Sequence, residues 1–137
     1  MKSITIKSVF ISLFMILGLS MVSAQEDSKF VYDCKYENDK IVSKTIFEKD
    51  SDSQALKQIA KYEYAYDSKG RIVEKVAYRW NTEKRNWENH FKMICQYNES
   101  DATVTIDYGT WDKNKKDYTQ NQQHTVYAES DMEKIIS

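Results

Sequence analysis

Trp80-Asn81-Thr82-Glu83-Lys84-Arg85-Asn86-Trp87 and Trp111-Asp112-Lys113-Asn114-Lys115-Lys116-Asp117-Tyr118 decide the reading of this chain. Each runs from an aromatic through Asn or Asp, a basic stretch and Asn or Asp again to a second aromatic, and they stand 31 residues apart. A second marker has the same period. Tyr36-Glu37-Asn38-Asp39-Lys40, Tyr66-Asp67-Ser68-Lys69-Gly70, Tyr97-Asn98-Glu99-Ser100-Asp101 and Tyr127-Ala128-Glu129-Ser130-Asp131 recur at offsets of 30, 31 and 30. Two markers sharing one period define an internal repeat. In the first repeat the place of the Trp-flanked loop is held by Asp50-Ser51-Asp52-Ser53-Gln54, a turn without the tryptophans.

Each period holds two turns, and the segments between them alternate. Ile72, Val76, Tyr78 and Trp80 share one parity against Lys75 and Arg79; Trp87, Phe91, Met93, Cys95 and Tyr97 share one against Glu88, Lys92 and Gln96. Phe30, Tyr32, Cys34 and Tyr36 oppose Asp33 and Lys35, and Tyr62, Tyr64 and Tyr66 oppose Lys61 and Glu63. Period two in Tyr, Val, Ile, Thr and Trp marks half-buried strands. Residues 53–61 also suit a helix by residue type, but the repeat requires a strand there. The predicted spans are 30–37, 40–49, 55–66, 71–80, 87–97, 102–111, 118–128 and 132–136. Asn38-Asp39 suits a two-residue hairpin because both residues tolerate positive φ. A loop with Gly70 in the left-handed position pairs Tyr66 with Ile72, and the six-residue loop 81–86 sets Trp80 across from Trp87.

These turns all join antiparallel neighbours, so the expected fold is all-β: an up-and-down meander of about eight long strands. A closed β-barrel and a curled open sheet both hide one apolar face. The inner parity of 118–128 reads Tyr118, Gln120, Gln122, His124 and Val126, a poor barrel stave, which favours the open sheet. Its charged outer parity argues against a lipid-facing barrel. Cys34 on strand one and Cys95 on strand five would lie about 19 Å apart in a flat sheet, at ~4.8 Å per strand step. A disulfide needs its Cα atoms within about 7 Å, so two unpaired core thiols are expected.

Residues 1–24 read as a secretory signal: Lys2 and Lys7, an apolar run from Val9 to Leu17, then Val22-Ser23-Ala24. Cleavage before Gln25 leaves residues 25–137 as a single exported repeat domain, periplasmic or extracellular. Without Lys2 and Lys7 the formal charge of −1 becomes −3. Weak acidity argues against nucleic acid, and no second long apolar segment argues for membrane insertion. This part has no proline, two glycines (Gly70 and Gly109), ten Tyr and three Trp. Aromatic content of this kind belongs to a chain that folds, with turns made by Asn, Asp and Ser.

No catalytic constellation stands out. The carboxylates are scattered over the polar parity, leaving a carboxylate-based hydrolase as a minor reading. His90 and His124 lack further ligands at zinc spacing, so neither metal nor cofactor is expected. The candidate ligand contacts are Trp80, Trp87, Trp111 and Tyr118, at one end of successive hairpins. Flat aromatics in a row stack on sugar rings or anchor a protein partner, and they also staple hairpin ends together. Lys84-Arg85 and Lys113 to Lys116 suit an anionic glycan or an acidic surface. The function expected is a non-enzymatic binding or surface-assembly module. The alternative is a self-associating structural protein, a homo-oligomer built through a strand edge.

Tyr66-Asp67-Ser68-Lys69-Gly70-Arg71-Ile72 loosely resembles the Tyr-Asp hairpin repeats of bacterial surface and toxin shells. A closer likeness rests on the signal ending Ser23-Ala24-Gln25, the stretch from Tyr64 to Arg71, Tyr78-Arg79-Trp80-Asn81, and Trp111 with Lys116-Asp117-Tyr118. There the chain resembles the small secreted proteins of Bacteroides-type gut bacteria grouped as domain of unknown function 3836. The resemblance implies export and a β architecture, and it transfers no site.

Overall fold

A computed structural model describes residues 28–120 and 123–136; the leader read at residues 1–24 lies outside them. Six strands form the meander: β1 (Phe30–Glu37), β2 (Lys40–Lys49), β3 (Leu56–Tyr66), β4 (Ile72–Asn81), β5 (Asn86–Asn98) and β6 (Thr103–Asp112). Two shorter strands, β7 (Asp117–Tyr118) and β8 (Gln123–Ala128), both pair with β6. All pairings are antiparallel, and among the described residues none joins β1 to β7 or β8. The sheet is open.

The turns form as their residues dictate. Asn38 and Asp39 take φ of 48° and 61° between the paired Glu37 and Lys40, the double positive φ of a tight hairpin. Gly70 has φ 77°, Tyr66 pairs with Ile72, and the Asp67 carboxylate accepts from the Lys69 and Arg71 amides at 2.9 Å each. At the other end, Asp50, Asn81 and Asp112 each accept backbone N–H bonds from the loops they open. Bonds from Ser53 and Asp52 hold the Asp50 carboxyl down at about 2. The repeated tyrosine also has a structural task. The Tyr66 hydroxyl donates to the Ile41 carbonyl at 2.6 Å and the Tyr97 hydroxyl to the Ile72 carbonyl at 2.9 Å, tying each hairpin to the one before.

The pairing contains four β-bulges, at Val42, Ile59, Val73 and His90, each an extra residue skipped by the register of its neighbour. Val42 and Val73 are 31 residues apart, as are Ile59 and His90, so the bulges belong to the repeat. An extra residue flips the side chains beyond it relative to the pleat. This corrects the single apolar stripe. Ala77 pairs with Phe91 on one face, whereas Tyr78 pairs with Asn89 and Trp80 with Trp87 on the other. Phe91, Met93, Cys95 and Tyr97 therefore lie opposite Trp87, although all five share a parity.

Two further expectations are corrected at the C-terminal end. The strand read at 118–128 is divided into β7 and β8, because the backbone at Thr119 crosses directly over Gly109. A Cβ on Gly109 would overlap the Thr119 carbonyl, and the Thr119 amide bonds the Thr110 carbonyl at 2.8 Å. The strand read at 132–136 is instead a helix, α1 (Met132–Ile136), entered through a 3-10 turn at Glu129–Asp131. Met132 and Ile136 stand one helical turn apart and are both buried against the sheet. With Cys95, Val104 and Ile106 they form the core, flanked by Tyr64, Ile72, Met93, Tyr97 and Tyr127.

Both thiols are free, as their strand positions require. Burial pushes the Cys95 thiol up to about 11; Cys34 is only half-buried, so the expectation of two core thiols holds for Cys95 alone. Lys75, read as solvent-facing, is also corrected. It is half-buried on the helix face, its ammonium 4.5 Å from the Tyr62 ring, and it donates to the Ile136 carbonyl at 3.2 Å. Among the described residues no helix is long and apolar enough to cross a membrane.

Candidate functional site

The four aromatics singled out from sequence are held as two matching pairs. Trp80 pairs with Trp87 across β4 and β5, ring centroids 5.1 Å apart at 68°; Trp111 pairs with Tyr118 across β6 and β7 at 5.0 Å and 69°. The edge-to-face arrangement is the favoured one for neighbouring π-systems. All four are half-buried. Beyond the Phe91–Thr110 pair β5 and β6 no longer bond each other, and a cleft of about 330 Å³ opens there, lined by Trp87, Trp111, Lys84, Glu88, Asn89 and Lys113. One tryptophan from each of the two Trp-bearing hairpin ends thus reaches the same cleft, backed by its own partner.

Two lysines of this site were missed in the sequence, because the bulges that bring them to the aromatic face leave no mark on the alternation. The Lys61 ammonium lies 4.5 Å from the Tyr78 ring and 5.6 Å from Trp87, and that of Lys92 lies 5.0 Å from Tyr118. Such cation–π contacts contribute about 0.5–1 kcal/mol where exposed. The Tyr78 hydroxyl donates to Glu63 at 2.9 Å, and Glu63 also pairs with Lys61 at 3.0 Å. Burial, then the Glu63 hydrogen bond, pushes the Tyr78 phenol up to about 12. For Glu63 burial acts upward, but the bonds from Lys61 and Tyr78 outweigh it and hold the carboxyl low.

Charge at the loop tips is unevenly matched. Glu88 takes both Lys84 at 3.0 Å and Lys113 at 3.4 Å, whereas Arg85, Lys115 and Lys116 form no ion pair among the described residues. The histidines lie apart from these tips. His90 sits at its bulge against Phe91, with burial and then the Arg79 charge lowering its pKa; His124 Nδ1 is 2.6 Å from Asp107. Among the described residues no three His, Cys, Asp or Glu side chains come together as a metal site.

A second concavity, of about 500 Å³, lies between α1 and the sheet. Ile41, Tyr64, Tyr66, Ile72, Met132 and Ile136 supply its walls. Reading 132–136 as a strand hid it from the sequence.

None of the curated proteins compared matches the chain. Among solved structures, it is similar to a DUF3836 family protein from Parabacteroides distasonis, at 32% identity and TM-score 0.69, over 79% of this chain and 97% of that one. A DUF3836 family protein from Bacteroides vulgatus is 27% identical with TM-score 0.66, over 73% and 99%. A protein of unknown function from Bacteroides fragilis, 24% identical with TM-score 0.59 over 69% and 67%, shares the fold. The family model for DUF3836, a family of unknown function, matches residues 1–129. With that match over nearly the whole length, the chain belongs to the DUF3836 family.

Proposed function

We propose that this protein is an exported, non-enzymatic binding module that engages an acidic protein surface or anionic glycan through the aromatic hairpin ends. The observation that carries this reading is the cleft shared by Trp87 and Trp111, rimmed by loops whose Arg85, Lys115 and Lys116 have no ion-pair partners among the described residues. Aromatic anchors supply contact area at low entropy cost, and free cations steer an acidic partner to them. The non-enzymatic part is supported by how the acids are engaged. Asp67, Glu99 and Glu129 all surround Arg71, at 2.9, 3.0 and 3.4 Å, while Glu63 and Glu88 are tied to lysines. Residues 25–137 should bind acidic ligands on a glycan array or in pull-downs, and Trp87→Ala with Trp111→Ala should abolish it while the fold persists. A wild type that binds none of them contradicts the proposal.

The open edge favours self-association as a second reading. Among the described residues β1 has one unpaired side, and Phe30, Val31 and Tyr32 at its start are 39%, 39% and 48% exposed. An apolar edge of this kind templates pairing with another chain. Sedimentation over a wide concentration range should then show a dimer that an Asp at Val31 disperses; a persistent monomer excludes it.

A further inference from the structure

The groove beneath α1 has two differently charged ends. At one end Arg71 lies over the Tyr97 ring at 4.2 Å and is neutralised by Asp67, Glu99 and Glu129. At the other, Lys44 and Lys75 flank the tyrosines of β3. The Lys44 ammonium lies over Tyr32 at 4.6 Å, and Lys75 over Tyr62 at 4.5 Å and Tyr64 at 5.8 Å. Neither lysine forms an ion pair among the described residues, and Lys75 donates there only to the Ile136 carbonyl. An ammonium carries three hydrogens, so Lys75 has donors to spare. Lys44 is the cross-strand partner of Tyr62, the ring over which Lys75 lies, so the two cations flank one tyrosine; burial first, then the Lys44 charge, lowers the pKa of Lys75.

We infer that the groove is a binding site for a hydrocarbon monocarboxylate, its chain along Tyr64, Ile72, Met132 and Ile136 and its carboxylate between Lys44 and Lys75. Size fits, since 500 Å³ falls within the roughly 300–1,000 Å³ of small-molecule sites. The apolar walls ask for hydrocarbon, and charge complementarity places one anion at one end. A carboxylate relieves the repulsion between the lysines and accepts from both. At the rim Glu133, exposed and without an ion pair among the described residues, opposes the anion and limits affinity.

Dodecanoate below its micellar concentration, titrated calorimetrically into residues 25–137, tests this. Dodecanoate should bind at least about tenfold more tightly than dodecanol, and Lys44→Met should remove about tenfold of its affinity, as loss of a charged hydrogen bond does. Glu133→Gln should tighten binding, and Met132→Trp should block it by filling the groove. Because Met132 is also core whereas Lys44 is not, Lys44→Met is the variant that decides. Amide shifts in a labelled sample should map to β2, β3 and α1. Equal affinity for dodecanol, tighter binding of dodecyl phosphate, an unchanged Lys44→Met, or no binding to the solubility limit would each overturn the inference.

Discussion

Gly109→Ala separates this fold from a plain meander by the sign of its effect. In an ordinary strand, alanine in place of glycine stabilises by roughly 0.5–1 kcal/mol, because the unfolded chain loses less entropy. Gly109 has no left-handed φ to forbid alanine. It is buried, however, and an added Cβ would overlap the Thr119 carbonyl, which is backbone and cannot swing aside as a side chain would. One methyl group forced into such a site costs about 1–3 kcal/mol. In a domain of this size each kcal/mol moves Tm by about 4–8 °C, so a fall of at least about 4 °C is expected. Thermal denaturation of residues 25–137, wild type against Gly109→Ala, reads it directly. Hydrogen exchange should place the loosening at β7 and β8 and spare β1 to β3. An unchanged or higher Tm would show that the chain does not cross over Gly109, and the division of the last strand would fall with it.

The Trp80–Trp87 pair should show a coupling of about 0.5–1.5 kcal/mol in a double-mutant cycle to alanine; strictly additive losses would mean that the rings do not touch. Alkaline stability follows from the phenols. The unfolded chain releases tyrosine protons from about pH 10, whereas Tyr64, Tyr78 and Tyr97 are held up to about 12, chiefly by burial. The native state binds more protons between those values, so urea midpoints should fall as pH rises from 10 to 12; a flat profile over that range contradicts the burial. Cys95, with its thiol at about 11, should resist a thiol reagent at pH 8 until the protein is unfolded, while the half-buried Cys34 reacts sooner; equal rates would place Cys95 outside the core.

What was legible in the sequence is local and periodic. Asn38-Asp39 and Gly70 announce their turns because few residues accept positive φ, and the Trp-flanked loops announce their pairings because loop length sets register. The unpaired cysteines followed from strand spacing alone. The bulges could not be read this way. Val73 and His90 each insert one residue while the sequence keeps its period of two straight through them, so the change of face shows only in the register with a neighbour. The site was therefore half legible: the four aromatics were named, but Lys61 and Lys92 join them only through the register of β3 to β5. The helix was missed because Met132-Glu133-Lys134-Ile135-Ile136 is too short to separate the two periods. Tertiary packing against Cys95, Val104 and Ile106 decided it.

The most direct test of the two-faced sheet is an aromatic-selective NOESY spectrum of residues 25–137. Phe91 should show ring contacts to Tyr62 and Tyr108, whose centroids lie 6.4 and 5.2 Å away, and Trp87 should show its contacts to Trp80. Contacts joining Phe91 to the Trp80–Trp87 pair would put all these rings on one face, and a sheet whose faces are separated at the His90 bulge could not produce them.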